Sequence, residues 1–284
     1  MGLVKIGQWA LNTSKGVAVS SRCALAMLKV YVLARPVTWS GIVIHIVLKR
    51  HIHRDSQDTF APCNPALRIA VLMTTLSRNA SLIADRLLSL PCGSRRMAGI
   101  AGPPGSGKST LAEVVVDEIN RREPGMAALF PMDGFHFDDS VLRERGRLAN
   151  KGAIDTFDVH GLRHMLERLK RNEDDVVAVP VFDRSIEIAR AGGRLIARQT
   201  GIIVCEGNYL LMRQSPWDRL KPIFDLTVLV EVDISELRRR LRARWEGLGL
   251  DEAAILQKLD GNDLPNGIAI MEGSTEPDIR VINN

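Results

Sequence analysis

Cysteine is too thinly spread in this chain to build a site. Cys23, Cys63, Cys92 and Cys205 lie far apart and form no C-x-x-C pair. That argues against a zinc site and a disulfide framework and points to a reducing, cytoplasmic setting. Long apolar runs are also missing. The longest candidate, VTWSGIVIHIVL at 37–48, is too short to cross a bilayer and carries a histidine, so no membrane span is expected and residues 73–284 should need no membrane. Acidic residues are missing from the first 54 positions. Residues 1–72 hold nine Lys/Arg against two acids, a balance of +7, whereas the remaining 29 Lys/Arg face 31 acids, a balance of −2. The net charge of +5 therefore belongs to the N-terminal segment, and the main body has no electrostatic case for binding nucleic acid.

Residues 1–72 also lack a clear helical or strand period. Three readings compete for them: a targeting presequence, a membrane-surface segment, or upstream sequence translated from too early a start, the last being preferred. MTTLSRNASLIADRLLSL, from Met73, reads as a natural start leading into an amphipathic helix, with Leu76, Leu82, Ile83, Leu87 and Leu88 on one side. The expected organisation is an extension at 1–72 and one α/β domain at 73–284.

From Met97 onward, short apolar runs alternate with helix-period segments, the pattern of a parallel sheet covered by helices. Strands are expected at 97–101, 126–130, 176–179, 201–205, 226–232 and 278–282. Helices are expected at 109–122, 160–171, 234–245 and 251–259. FDRSIEIARAGGRLIARQ alternates apolar and polar residues around Gly192-Gly193, as an antiparallel hairpin would.

Gly102-Pro103-Pro104-Gly105-Ser106-Gly107-Lys108-Ser109 fits G-x-x-x-x-G-K-[ST] at every fixed position, with Thr110 following. The glycines let consecutive backbone N–H groups converge on an oxyanion, and the helix that follows adds its positive end. Lys108 is expected against the β- and γ-phosphates of a nucleotide and Ser109 on Mg²⁺. A Gly-rich turn ending a strand is the bland alternative, but the strand-before, helix-after context favours the nucleotide. No [NT]-K-x-D tetrapeptide is present to read guanine, and no L-S-G-G-Q marks a transporter ATPase. ALFPMDGFHFDD puts Asp133 just past a strand, on the same side of the sheet as the glycine-rich loop. There it could accept a proton from an attacking hydroxyl or simply cap a turn. An acid after the apolar run GIIVC, Glu206, is where a metal-facing carboxylate belongs. His160 and His164 have the i, i+4 spacing of a metal pair but no third ligand, and a packed or surface pair is preferred.

GPPGSGKST, FPMDGFHFDDSVLRERGRLANKGAIDTFDVHGL, PVFDR and IIVCEGNYLL, in this order, resemble the P-loop kinases that include uridine kinase, phosphoribulokinase and bacterial pantothenate kinase. The likeness is greatest to the branch labelled fructose transport system kinase or pantothenate-kinase-like. It covers about residues 90–284. The resemblance implies a three-layer P-loop NTPase fold with a mainly parallel sheet, helices on both faces, a small hairpin and a helical lid. It implies Asp133 as general base and Asp158, Asp183, Arg184, Asn208 and Tyr209 around the acceptor, where His136 reads from its place as a structural or substrate-orienting residue and not a metal ligand. Glu206 would lie beside Mg²⁺ and the reacting phosphate. Asp155, Asp158 and Asp183 could each instead cap a turn or helix. ELRRRLRARWEG supplies five arginines; most read as a solvated helix face, and Arg240 and Arg244, four apart, are the ones expected to turn inward as a lid. Trp245 departs from the pattern of the family at that place. GNDLPNG is expected to turn near the adenine. The activity implied is ATP- and Mg²⁺-dependent phosphorylation of a hydroxyl on a small sugar-like molecule, with a homodimer compatible with the resemblance. From another class, an ATP-binding regulatory or assembly partner of a transporter is the alternative.

Overall fold

The computed structural model describes residues 65–91 and 93–284. The extension expected at 1–72 lies outside the described residues except for its last few, which open a helix. In chain order the regular elements are α1 (Pro65–Ser89), β1 (Arg96–Ala101), α2 (Lys108–Arg122), β2 (Ala127–Pro131), α3 (Asp139–Glu144), α4 (Val159–Arg171), β3 (Val176–Asp183), β4 (Ile188–Ala197), β5 (Ile202–Gly207), β6 (Leu226–Glu231), α5 (Ile234–Gly247), α6 (Glu252–Lys258), α7 (Leu264–Gly273) and β7 (Ile279–Ile282). Helix α1 starts ahead of Met73, where the sequence suggested its start. Its described contacts with the core come from Leu76, Ala80, Ile83, Ala84, Leu87 and Leu88, spaced as one helical stripe.

Five strands form a parallel sheet in the order β2-β5-β1-β6-β7. The inner strands read as unbroken apolar runs because both their faces are covered. Ala98, Ile100, Ile202, Val204, Val228 and Val230 face α1 and α2. The alternate residues Met97, Ile203, Cys205 and Leu229 meet Leu162, Leu166 and Leu169 of α4 on the other side. Each fully buried Ile or Leu here stabilises the fold by roughly 1.5–3 kcal/mol relative to exposure. A third, smaller core of Val232, Leu237, Leu241, Ile255, Leu259 and Leu264 holds α5 to α7 together as a cap over the C-terminal ends of the strands.

Three expectations change. The strand expected at 176–179 does not join the main sheet; it pairs antiparallel with β4 as a separate two-stranded hairpin. The hairpin turns at 184–187, not at Gly192-Gly193, because Asp183 Oδ1 accepts from Ser185 N and Oγ (3.0 and 2.6 Å) and closes a local side-chain turn there. Gly193 lies inside β4 at a register shift, where a Cβ would come within 2.9 Å of Val181. The helix expected at 251–259 ends at Lys258, and GNDLPNG is not a turn: a single π-helical turn, Leu259–Asp263, carries α6 into α7. Proline is tolerated there because it enters in the first turn of α7.

Candidate functional site

Register brings the chemistry together. Ile100 of β1 is level with Glu206 of β5, and Glu206 with Pro131 of β2. The turns that leave these three adjacent strands therefore open on one crevice, the usual ligand side of a parallel sheet. After β1 the glycine-rich loop turns with Gly105 and Gly107 at φ 78° and 85°, values that L side chains reach only with strain. Helix α2 then begins at Lys108 with no side-chain cap. Its first N–H groups and the positive end of its dipole are left for an anion. Ser106 is fully buried in the loop and its Oγ has no partner.

A cleft of about 640 Å³ opens above the loop. Pro104, Gly105, Gly107, Lys108, Ser109 and Thr110 form one wall, and Asp133, His136 and Arg184 face them. Asn208 and Arg244 also reach the cleft. Ser109 Oγ donates to Glu206 Oε2 at 3.0 Å. Glu206 is only 6% exposed. Burial raises its proton affinity and Asp133 adds to that, while Lys108 pulls it back down. A hydroxyl and a carboxylate oxygen this close to each other make a fitting donor pair for a hard divalent cation. The uncapped start of α2 likewise fits a phosphate chain.

Asp133 follows β2 on a short helical turn, Met132–Phe135. Gly134 lets that turn press on the hairpin, since a Cβ there would lie 2.5 Å from the Pro180 carbonyl oxygen. Arg184, carried by the hairpin, donates Nη2 to Asp133 Oδ2 at 2.7 Å. His136 stacks on Phe157 with ring centroids 3.9 Å apart. Burial lowers its pKa to about 4, which makes it neutral at physiological pH, and its Nδ1 has no partner. The buried Asn208 Oδ1 is likewise unpartnered. Both residues line the cleft and neither carries a charge, though these two atoms are themselves turned away from its surface.

Several residues expected in the site stand elsewhere. Asp158 is exposed and caps α4, its Oδ1 accepting from Gly161 N at 2.8 Å, which is the capping alternative. Asp183 is taken up by Ser185 and by Arg190 at 3.2 Å. Tyr209 is buried and donates its hydroxyl to the Gly152 carbonyl at 2.8 Å. It thus holds the loop that bears Lys151 and does not line the cleft. Gly102, Pro103 and Ser106 belong to the loop but do not line the cleft. Arg240 is outside the cleft lining and pairs with Glu236 at 2.7 Å. Arg238, Arg239 and Arg242 form exposed pairs with Asp260, Glu236 and Glu246, as a solvated helix face does. His164 is 79% exposed in its side chain, and among the described residues no cluster of three or more His, Cys, Asp or Glu could hold a metal.

Other lining residues went unforeseen. Lys151 reaches in from the long loop after α3, paired with Asp139 at 2.6 Å and 5.1 Å above the Phe182 ring. Trp245 Nε1 donates to the buried Asp263 at 2.7 Å, with Arg244 and Lys258 about its ring at 5.1 and 4.9 Å. Burial raises the pKa of Asp263, opposed by the Trp245 hydrogen bond. The mismatch of Trp245 with the family pattern was the one hint in the sequence that this corner differs.

A glycine-rich anion cradle, a lysine at its mouth, a serine–glutamate pair and a further acid at the next strand end define a P-loop protein equipped for phosphoryl transfer. The chain matches no protein-family model. It is 31% identical over 195 residues to a protein of Schizosaccharomyces pombe provisionally named a uridine kinase, covering 65% of this chain and 82% of the relative. A pantothenate kinase of Enterococcus faecalis is 26% identical over 206 residues, covering 70% of this chain and 64% of that one. Among solved structures, a protein of Silicibacter sp. TM1040 provisionally named a fructose transport system kinase is 36% identical and superposes with a TM-score of 0.66, covering 72% of this chain and 98% of that one. The chain belongs to the P-loop kinase family that includes uridine kinase and bacterial pantothenate kinase. Among its described residues no helix is long and apolar enough to cross a membrane.

Proposed function

We propose that the protein is an ATP- and Mg²⁺-dependent kinase that moves the γ-phosphate to a hydroxyl of a small, neutral, sugar-like molecule. The observation that carries this reading is the meeting of Asp133 and the Ser109–Glu206 pair beside Lys108 at adjoining strand ends. Asp133 is the group to accept the proton as the acceptor oxygen bonds to the γ-phosphorus and the bond to the ADP oxygen breaks. Lys108 and Arg244 offset the charge spread over the phosphoryl oxygens. Ser109 and Glu206 are the residues that would hold Mg²⁺, which when bound neutralises phosphate charge.

Charge pairing supports a neutral acceptor. Opposite the P-loop, Arg184 is matched by Asp133 and Lys151 by Asp139. These pairs leave less unmatched positive charge on that wall, and hydroxyls can bond to the carboxylates and to the Asn208, Asn262 and Asn266 amides. The name of the Silicibacter relative points the same way. The test is ADP release with Mg²⁺-ATP and a panel of neutral sugars, nucleosides, pantothenate and glycerate. Release stimulated by a neutral sugar bears the reading out. Stimulation by the carboxylates alone would leave a kinase but sink the neutral acceptor, and ATP binding without stimulated release would favour a regulatory ATP-binding protein.

A further inference from the structure

The segment that follows β7 reaches back beneath the phosphate loop. Asn283 Nδ2 donates to the Ser106 carbonyl at 2.7 Å. The same nitrogen would lie 2.6 Å from a Cβ built at Gly107, so the amide is packed directly on the loop. Asn283 is itself fixed on both sides: its N–H donates to the Glu231 carbonyl at 2.9 Å, continuing the β6–β7 ladder, and its carbonyl accepts from Arg240 Nη2 at 2.8 Å. Glu236 accepts from Arg240 Nε at 2.7 Å. Beside them, Leu241 would stand 3.2 Å from a Cβ at Gly105. The back of the loop therefore rests on α5 and Asn283 while its front faces the cleft.

We propose that Asn283 is a positioning residue for the phosphate loop, and that Arg240, expected from the sequence to meet phosphate, acts through Asn283. The peptide plane supplies the reason. In a trans peptide the C=O and the following N–H point in opposite directions. With the Ser106 carbonyl held by Asn283 at the back, the Gly107 N–H is turned to the front, where an anion is bound. Glycine has little intrinsic preference between the two orientations of that peptide, so an external hydrogen bond is needed to keep the donor in place. This rests on the reading of the loop as an ATP phosphate site.

The test measures the Kd for Mg²⁺-ATP by titration, with steady-state KM and kcat where turnover is found, in the full chain. Asn283→Ala removes the amide. Asn283→Asp keeps its size but presents a second acceptor to the Ser106 carbonyl, so a shared loss cannot come from a cavity. Both should weaken ATP binding about fivefold to tenfold, the value of one hydrogen bond, with the loss in Kd and KM more than in kcat and with the melting temperature little changed. Arg240→Met should shift Kd in the same direction, and the double variant should be no worse than Asn283→Ala. Unchanged Kd in both Asn283 variants, while Lys108→Ala loses ATP, overturns the proposal and leaves the nucleotide site standing. An Arg240→Met loss that falls on kcat and adds fully to Asn283→Ala also overturns it. A wild-type chain with no affinity for ATP overturns both the proposal and the reading beneath it.

Discussion

Across the cleft, the P-loop wall offers backbone N–H groups with Lys108 at their mouth, while the facing wall offers charged side chains already paired with one another, Arg184 with Asp133 and Lys151 with Asp139. The first wall is shaped for one chemistry, a chain of phosphates, and its geometry comes from eight consecutive residues, 102–109, that leave a strand and open a helix. The second draws on the turn after β2, the loop after α3 and the tip of the hairpin. Its pairs keep cations from being left uncompensated, so what binds there has to fit between them.

Breaking the first wall should cost most. Lys108→Ala removes the ammonium at the phosphate cradle and is expected to reduce turnover by about a hundredfold to a thousandfold, in line with the loss of one charge-stabilising group in a transition state. Circular dichroism should remain that of the folded protein, because Lys108 lies on the cleft surface.

Asp133→Asn comes next. It should lower kcat by about a hundredfold or more if Asp133 takes the proton. A loss confined to KM would instead make it a binding residue. On the acceptor wall, Lys151→Ala should raise the acceptor KM severalfold and leave the ATP KM nearly unchanged. It removes the partner of Asp139 and the cation above Phe182 but nothing at the phosphate loop. Equal effects on both KM values would erase the division between the walls.

A pH effect on stability is expected to be smaller. His136 has a pKa of about 4 in the folded chain against 6.5 when free, chiefly through burial. The unfolded chain thus binds more protons between these values. The stability that the neutral imidazole contributes is present above pH 6.5 and is lost as the pH falls towards 4. Melting temperatures measured across this window should drop less steeply in His136→Gln. Removal of residues 1–72 should have the least effect, leaving turnover unchanged, since the phosphate loop, Asp133 and Glu206 all come after β1.

Legibility in the sequence follows the same division. The P-loop, Asp133 and Glu206 could be read because each ends an apolar run, and a parallel sheet brings such ends to one side. The sheet and its covering helices were legible for the same reason, as apolar runs alternated with helix-period segments. Lys151 and Trp245 could not be placed: the first depends on the path of a polar loop fastened by Tyr209, the second on a π-helical turn hidden in what looked like turn chemistry. Asp158 and Asp183 were carried by resemblance, and local hydrogen bonds to Gly161 and Ser185 hold both. For Arg240 the i, i+4 spacing from Arg244 was the guide, yet Glu236, four residues before it, claims its guanidinium instead.

The most direct test of phosphoryl transfer at the three strand ends is mass spectrometry of the acceptor after incubation with Mg²⁺-ATP, comparing the wild-type chain with Asp133→Asn at saturating ATP. The account predicts a sugar phosphomonoester formed in step with ADP by the wild type and at least about a hundredfold more slowly by the variant. Equal rates of product formation by the two proteins would contradict it.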